Sequence, residues 1–334
     1  MSFKRFDKED VTISAESVVA PAWTGQKSTL TAFYTSSQVA TTSGNYYYNI
    51  YQTASNATGA EVQFAVAYGN LVGSGSIPFT AGILEKTPSS VLYGQYRTLV
   101  NGDENTNFNF NGHVPESIYI IAVNRSRYKE KLLPGSLNLT LTSGSNTVHL
   151  TDNSLDLTTV SYVDSGRVYD IVSGSNGTFT GPTDNTFLVT SGSYGKFLPD
   201  VGIVILNADA LQDSTYGIGL IPETGSGVNG LNSEKLYNVI NAGSEFTLRS
   251  EETITSNYVF VRVRNSEHNY STNPSNITGS GELRHNIMVN TPQAYITTVG
   301  LYNDNNDLLG VAKLSKPLLK DFTKEALVRI KLDY

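Results

Sequence analysis

Side chains carrying oxygen atoms recur along residues 303–307, where the sequence reads Asn-Asp-Asn-Asn-Asp. Oxygen ligands at alternating positions open the calcium-binding loops of EF-hand proteins. Those loops also require Gly at the sixth position and Glu at the twelfth, which here are Leu308 and Leu314. Because the flanking residues have the pattern of strands, the segment predicts a β-hairpin turn of about five residues and no calcium site.

Two glycine-rich stretches match nucleotide-binding loops only in part. Residues 225–230 have the spacing G-x-G-x-x-G, but a dinucleotide site also needs a buried strand before it and a βαβ unit around it. Pro222 interrupts the poor strand upstream. Residues 69–76 lack the lysine of a phosphate-binding loop. We therefore predict a flexible connector at 225–230, and close backbone packing or an assembly loop at 69–76.

Histidine, cysteine and serine residues give no catalytic or metal-binding pattern. None of the histidines has a second His or a carboxylate at the HExxH spacing of zinc enzymes; they are His113, His149, His268 and His285. The chain has no cysteine and no G-x-S-x-G motif. We expect no enzyme activity, no cofactor and no metal. Glycan binding stays open because Tyr and Asn abound, although only Trp23 offers an indole for stacking.

The composition favours a surface that meets other proteins or sugars. Charged residues make up 16% of the chain, against a usual quarter, and Gly, Ser, Thr, Asn and 20 tyrosines replace them. A net charge of −7 argues against a nucleic-acid partner. The absence of a long apolar run predicts no membrane span, and the first ten residues lack the apolar core of a signal peptide.

Runs of β-branched and aromatic residues predict many short strands. The predicted strands cover 11–19, 28–37, 46–54, 61–69, 116–124, 135–144, 145–154, 168–173, 186–191, 201–206, 245–250 and 257–264. Helical patterns occur only at 232–243 and 316–327, and each has a non-helical alternative. Since strands and helices do not alternate, we expect an all-β, mainly antiparallel fold. It would contain several β-sandwich or barrel-like domains with long loops and few short helices.

Loop-rich stretches divide the chain into four predicted regions. These are an N-terminal arm (1–25), a β domain (26–160), a middle β region (161–245) and a C-terminal β unit (246–334) that holds the hairpin 295–314 and a basic tail. Residues 313–334 carry six basic and three acidic side chains on an otherwise acidic chain. This tail is predicted either to dock on an acidic face of a neighbouring subunit or to be a solvated terminal element.

The hairpin sequence resembles a feature of tailed-bacteriophage virion proteins. Gly300-Leu301-Tyr302 and Leu308-Leu309-Gly310-Val311-Ala312 are similar to a strand–turn–strand pattern of tail-fibre and baseplate components, with Gly310 in place of the more usual Ala. The segments 118–144 and 3–25 also look like parts of structural proteins of large myophages. Together these matches cover about a third of the chain, and they bring no catalytic residues.

The resemblance implies a structural subunit of a virion, assembled in the host bacterial cytoplasm, with the tail baseplate as its place. Its partners would be other tail or baseplate proteins and further copies of the chain, with host-surface glycan possible and neither nucleic acid nor membrane expected. A receptor- or glycan-binding tail tip and a capsid decoration protein are the alternatives. The residues predicted to make assembly contacts are Phe3, Arg5, Phe6, Trp23, Lys313, Lys316, Lys320 and Lys324.

Overall fold

A computed structural model describes residues 4–35, 46–83, 86–181, 193–227 and 229–333. It confirms the mainly antiparallel β fold with few helices. The strands are β1 (Val11–Pro21), β2 (Thr29–Leu30), β3 (Tyr34–Thr35), β4 (Tyr47–Tyr51), β5 (Val62–Asn70), β6 (Ser117–Val123), β7 (Lys131–Leu132), β8 (Asn138–Ser143), β9 (Asn146–Asp152), β10 (Ser161–Val163), β11 (Gly166–Ser175), β12 (Thr178–Phe179), β13 (Gly195–Leu198), β14 (Ile203–Asn207), β15 (Glu245–Thr247), β16 (Arg249–Val263), β17 (Gln293–Tyr302), β18 (Leu308–Asp321) and β19 (Ala326–Asp333). The α-helices are α1 (Pro88–Asn101), α2 (Ala208–Gln212), α3 (Leu231–Gly243) and α4 (Ile287–Asn290).

The chain forms two compact units. The central unit is Val18–Glu252, and the terminal unit combines Met1–Ser17 with Thr253–Tyr334. The division differs from the four predicted regions. No boundary falls near residue 160, because β9 and β11 pair with each other across it. The predicted N-terminal arm is also partly a strand, since β1 is a neighbour of β16 in a sheet.

The central unit is built on one strongly curled sheet. Its strand order is β2-β15-β8-β9-β11-β13-β14-β6-β5-β4-β3, with β10 and β12 paired to β11. β2 and β3 lie at opposite ends of this order, yet only residues 31–33 separate them in the chain. A link of that length spans at most about 14 Å between its flanking Cα atoms. The two ends of the sheet must therefore come close together, which gives the unit a barrel-like form.

Alternation along the inner strands places apolar side chains on both faces of this sheet. On β6, Tyr119 and Ile121 belong to one core, whereas Ile118 and Ile120 belong to another. The first core lies inside the curl and includes side chains of α3, and the second includes side chains of α1. Since both faces are covered, β6 reads as a nearly continuous apolar run, as such strands should.

The terminal unit has a much smaller core. β16 pairs with β19 from Ser256↔Asp333 to Val263↔Ala326, and β17 pairs with β18 as a hairpin. Val259, Val328 and Ile330 of the first pair cluster with Leu301 of the hairpin. The predicted hairpin at 295–314 is confirmed, and its strands extend beyond the predicted bounds.

Two helix predictions had opposite outcomes. The helix predicted at 232–243 is confirmed as α3. The helix predicted at 316–327 is wrong, because β18 continues to Asp321, and Leu318 lies opposite Ile296 of β17. Helix α1 was not predicted, although Thr87 caps it and Pro88 opens it. The strand predicted at 186–191 lies outside the described residues.

Candidate assembly surface

Exposed apolar side chains are concentrated in the terminal unit. This unit holds fewer than a third of the described residues but just over half of the large apolar side chains that are exposed. Its members are Phe6, Val11, Ile13, Tyr270, Leu283, Ile287, Val289, Tyr295, Tyr302, Leu308, Leu309, Val311, Leu318, Phe322, Leu327 and Leu332. Where exposed apolar side chains form a contiguous patch, they mark an interaction surface.

The hairpin tip carries one group of these side chains. Tyr302, Leu308, Leu309 and Val311 flank the turn, and Leu309 is 71% exposed. The ring of Tyr302 lies so close to Gly300 that a Cβ there would meet Tyr302 Cε2 at 2.9 Å. The ring therefore covers the gap that the glycine leaves in the strand. The tip thus presents an apolar surface on a paired β scaffold.

The turn at 303–307 uses its own oxygen atoms internally. Asn303 Oδ1 accepts hydrogen bonds from Asn305 N at 3.0 Å and from Asp307 N at 2.8 Å, while Asn303 Nδ2 donates to Asp307 Oδ2 at 2.9 Å. Asn306 adopts a positive φ of 63°, which Asn tolerates well. These bonds fit the predicted hairpin turn. No group of His, Asp or Glu that could hold a metal occurs among the described residues.

Five of the predicted assembly residues lie on the surface. Arg5, Phe6, Lys313, Lys316 and Lys324 are exposed. Phe3 lies outside the described residues. Each of the exposed residues belongs to the terminal unit, so any contact that they make with a partner places the partner against this unit.

The other two predicted assembly residues are buried within the chain. Trp23 is 2% exposed, and its Nε1 donates to the backbone oxygen of Phe246 at 2.9 Å. Lys320 is fully buried, and its Nζ donates to Asn269 Oδ1 at 2.7 Å, to Asp321 O at 2.8 Å and to Asn265 O at 3.0 Å. Trp23 fills a core and Lys320 anchors a loop, so neither offers its side chain to a partner.

Basic and aromatic side chains share the outward face of β16 and β19. The guanidinium of Arg329 lies 5.5 Å from the ring centroid of Tyr258, and Lys331 Nζ lies 6.0 Å from it. Arg262 NH2 lies 2.7 Å from Glu325 Oε2. Cationic groups beside aromatic rings are frequent in protein interfaces.

The two glycine-rich stretches bind to each other. Gly75 N donates to Gly225 O at 2.8 Å, and Gly225 N donates to Ser74 Oγ at 2.8 Å. A Cβ on Gly75 would lie 2.8 Å from Glu223 O, so close backbone packing requires glycine there. Both stretches therefore serve as connectors of the core. α3 does begin after Gly230, but no strand is assigned at 218–224, so the βαβ context of a dinucleotide site is missing among these residues.

Titratable side chains of the central unit form small, separate groups. His113 Nε2 lies 2.7 Å from Asp209 Oδ2. Thr140 Oγ1 donates to Glu245 Oε2 at 3.0 Å and lies 3.0 Å from His149 Nδ1, beside a cavity of about 60 Å³. A second cavity, near Tyr68 and Ser89, measures about 10 Å³. Ligand pockets typically measure about 300 Å³ or more, so these cavities hold at most a small group.

Two carboxylates of the central unit have pKa values shifted in opposite directions. Burial raises the pKa of Asp152 above its usual value, although Asp152 accepts hydrogen bonds from Ser154 N and Gly135 N. Burial also acts on Asp200, but hydrogen bonds from the side chain and backbone of Arg167 hold the pKa of Asp200 below its usual value. Both groups fix turns of the sheet.

No family model, no curated protein and no solved structure matches the chain. No helix in the described part of the chain is long and apolar enough to cross a bilayer. The sequence alone did not reveal the concentration of exposed apolar groups in the terminal unit. The signal in the sequence that could have revealed this surface is the high apolar content of residues 308–311 and 326–332, two segments that lie close to charged residues.

Proposed function

We propose that this chain is a structural subunit of a tailed-bacteriophage virion, specifically a tail-baseplate component, and not an enzyme. One observation carries the proposal: exposed apolar side chains are concentrated in the terminal unit. The hairpin that resembles phage tail proteins lies in the same unit. In this proposal the central unit is a rigid body, and the terminal unit fastens it to neighbours in the particle.

The proposed partners are other tail or baseplate proteins and further copies of the chain, brought together in the host cytoplasm. Exposed Tyr and apolar residues suit such contacts, because aromatic groups contribute strongly to interfaces. The cations Lys313 and Lys316 add attraction towards acidic surfaces. The proposed acidic surface belongs to the central unit of other copies, since that unit is net negative whereas the terminal unit is slightly positive.

A glycan-binding tail tip is less well supported as an alternative. The cavities described above are far smaller than a sugar-binding cleft. A capsid decoration role differs from the baseplate role in predicting contacts to a regular capsid lattice. The partner proteins in the particle therefore separate all three roles.

Cross-linking mass spectrometry of purified particles tests the proposal. A lysine-reactive reagent should give links between this chain and other tail proteins that concentrate on Lys313 and Lys316. Lys27, an exposed lysine of the central unit, is the matched comparison and should give fewer such links. Absence of the chain from purified particles would overturn the virion role, and links mainly to capsid proteins would overturn the baseplate position.

A further inference from the structure

β17 differs from the other strands that end a sheet in the terminal unit. Among the described residues, β1, β17, β18 and β19 each have a single strand neighbour. β1 contains Glu16 and Pro21, β18 contains several lysines and Pro317, and β19 contains Arg329 and Lys331. β17 contains neither a charged residue nor proline across Gln293–Tyr302.

Natural sheet edges are usually protected against pairing with other chains. Charged residues, prolines and bulges on the edge strand make a further strand unfavourable there. β17 lacks the first two protections over ten residues, and its register irregularity is confined to Ile296/Thr298 and Leu301/Tyr302. Among the described residues, the backbone of 293–301 forms no backbone hydrogen bond outside the pairing with β18. Since such an edge is an aggregation hazard if left open, its composition indicates that another strand covers it.

We propose that the occupant is β17 of a second copy of this chain, paired antiparallel across a two-fold axis. This inference rests on the proposed assembly function and names one of its contacts. Pairing β17 with itself brings no like charges together and buries no charge. Pairing it with β18 or β19 of another copy would place lysine or arginine side chains against an uncharged strand.

The faces of β17 also match in this arrangement. The register with β18 shifts between Ile296 and Thr298, and Thr297 and Thr298 are both exposed. A two-fold axis between these threonines places Ile296 opposite Val299 of the second copy. Within residues 294–301, the less exposed positions of one copy are then opposite less exposed positions of the other.

The same axis places Ala294 opposite Leu301, and both are buried. On the outer face it places the exposed Tyr295 opposite Gly300, beside the Tyr302 ring that covers this glycine. The result is a continuous four-stranded sheet, in which two copies each contribute a hairpin. Isologous two-fold pairing of this kind is the commonest form of self-association, and strand addition is a recurring binding mode.

The test measures the mass of the full-length protein by light scattering over a range of concentrations. The wild type should form dimers. Thr298→Lys should raise the dimer dissociation constant by up to about fivefold, because it places two like charges near the axis. Ser315→Lys, which adds the same charge to an exposed position of β18, should leave the dimer unchanged. Circular dichroism should show that both variants are folded.

Disulfide formation provides a second measurement that does not depend on affinity. The chain has no cysteine, so Thr298→Cys gives a single thiol. Across the proposed axis two such residues have Cα atoms about 6 Å apart, which is within disulfide range. Oxidation should give a covalent dimer for Thr298→Cys and not for Ser315→Cys.

A wild type that stays monomeric, and a Thr298→Cys variant that gives no more covalent dimer than Ser315→Cys, would overturn the self-pairing. If the chain is nevertheless found in particles, with links from Lys313 to tail proteins, the proposed function stands without this contact. A dimer that Thr298→Lys does not weaken would also refute the use of β17. A protein that dimerises through β17 but is absent from particles would refute the virion role alone.

Discussion

Replacing Phe246 with alanine should destabilise the central unit more than any surface substitution. The Phe246 ring on β15 lies 5.1 Å from that of Phe64 on β5 and 5.0 Å from that of Trp23. β15 and β5 are far apart in the strand order, so these rings join distant parts of the curled sheet. Loss of a buried Phe side chain costs about 3–5 kcal/mol, a large part of the roughly 5–15 kcal/mol that stabilises a domain.

Trp23 is a built-in probe of this site, because it is the single tryptophan of the chain and is buried. Its Nε1 donates to the backbone oxygen of Phe246, and the alanine variant keeps that acceptor. Urea unfolding followed by tryptophan fluorescence should therefore report the loss of the ring. Phe108→Ala, which removes a ring from the core on the other face of the sheet, is the comparison for a fully buried Phe that does not contact Phe246.

A double-mutant cycle separates the contact between rings from simple loss of volume. Phe64→Leu combined with Phe246→Leu should show a coupling energy of about 0.5–1.5 kcal/mol. Phe108→Leu combined with Phe246→Leu should be additive within about 0.5 kcal/mol. Zero coupling in the first pair, or a cost below about 1 kcal/mol for Phe246→Ala, would show that these rings do not join the sheet as described.

Three further predictions concern single sites. Asp200→Asn should lower the free energy of unfolding by about 1–3 kcal/mol at pH 7, because it weakens charge-assisted hydrogen bonds with Arg167. The native pKa of Asp200 is lowered from 3.8, so this stabilisation is present above pH 3.8 and is lost as the pH falls. Urea unfolding should therefore show a smaller difference in stability between variant and wild type at pH 3 than at pH 7. Asp152 has a raised native pKa, so its contribution to folding stability is present below the unfolded pKa and is lost as the pH rises through the native pKa. Asp152→Asn should therefore gain stability relative to wild type between pH 3 and pH 7. A stability difference between the two proteins that stays constant over this range would contradict the buried carboxylate. Calcium should not raise the melting temperature of the wild type or of a variant with Ser at positions 303, 305 and 307, and a rise confined to the wild type would show that the turn binds the ion.

The sequence was a good guide to local structure wherever one pattern decided it. Alternating apolar residues in β17 and β18, separated by turn-forming residues, predicted the hairpin, and the helical pattern at 232–243 predicted α3. The helix predicted at 316–327 was wrong because residues 318–321 pair with β17, a contact that the local sequence does not show. Helix α1 was missed because its cap residues Thr87 and Pro88 also suit a loop.

The candidate surface was less predictable than the elements that carry it. Lys320 and Lys324 look equivalent in the sequence, yet Lys320 is buried with three oxygen acceptors and Lys324 is exposed. Trp23 likewise is of a residue type that is common in interfaces, but its side chain is buried in a core. Exposure depends on which segments pack together, and that is a property of distant parts of the chain.

The sequence by itself determined that the protein is mainly antiparallel β, that residues 303–307 form a turn, and that thiol chemistry is excluded. These follow from the period of apolar residues, from local hydrogen bonding of Asn and Asp, and from composition. Only the tertiary structure decided that the two termini share one unit, that the long sheet curls, and which apolar side chains remain exposed. The reason is physical: a strand's own residues set its two faces, whereas its neighbours in the sheet decide which face and which edge are covered.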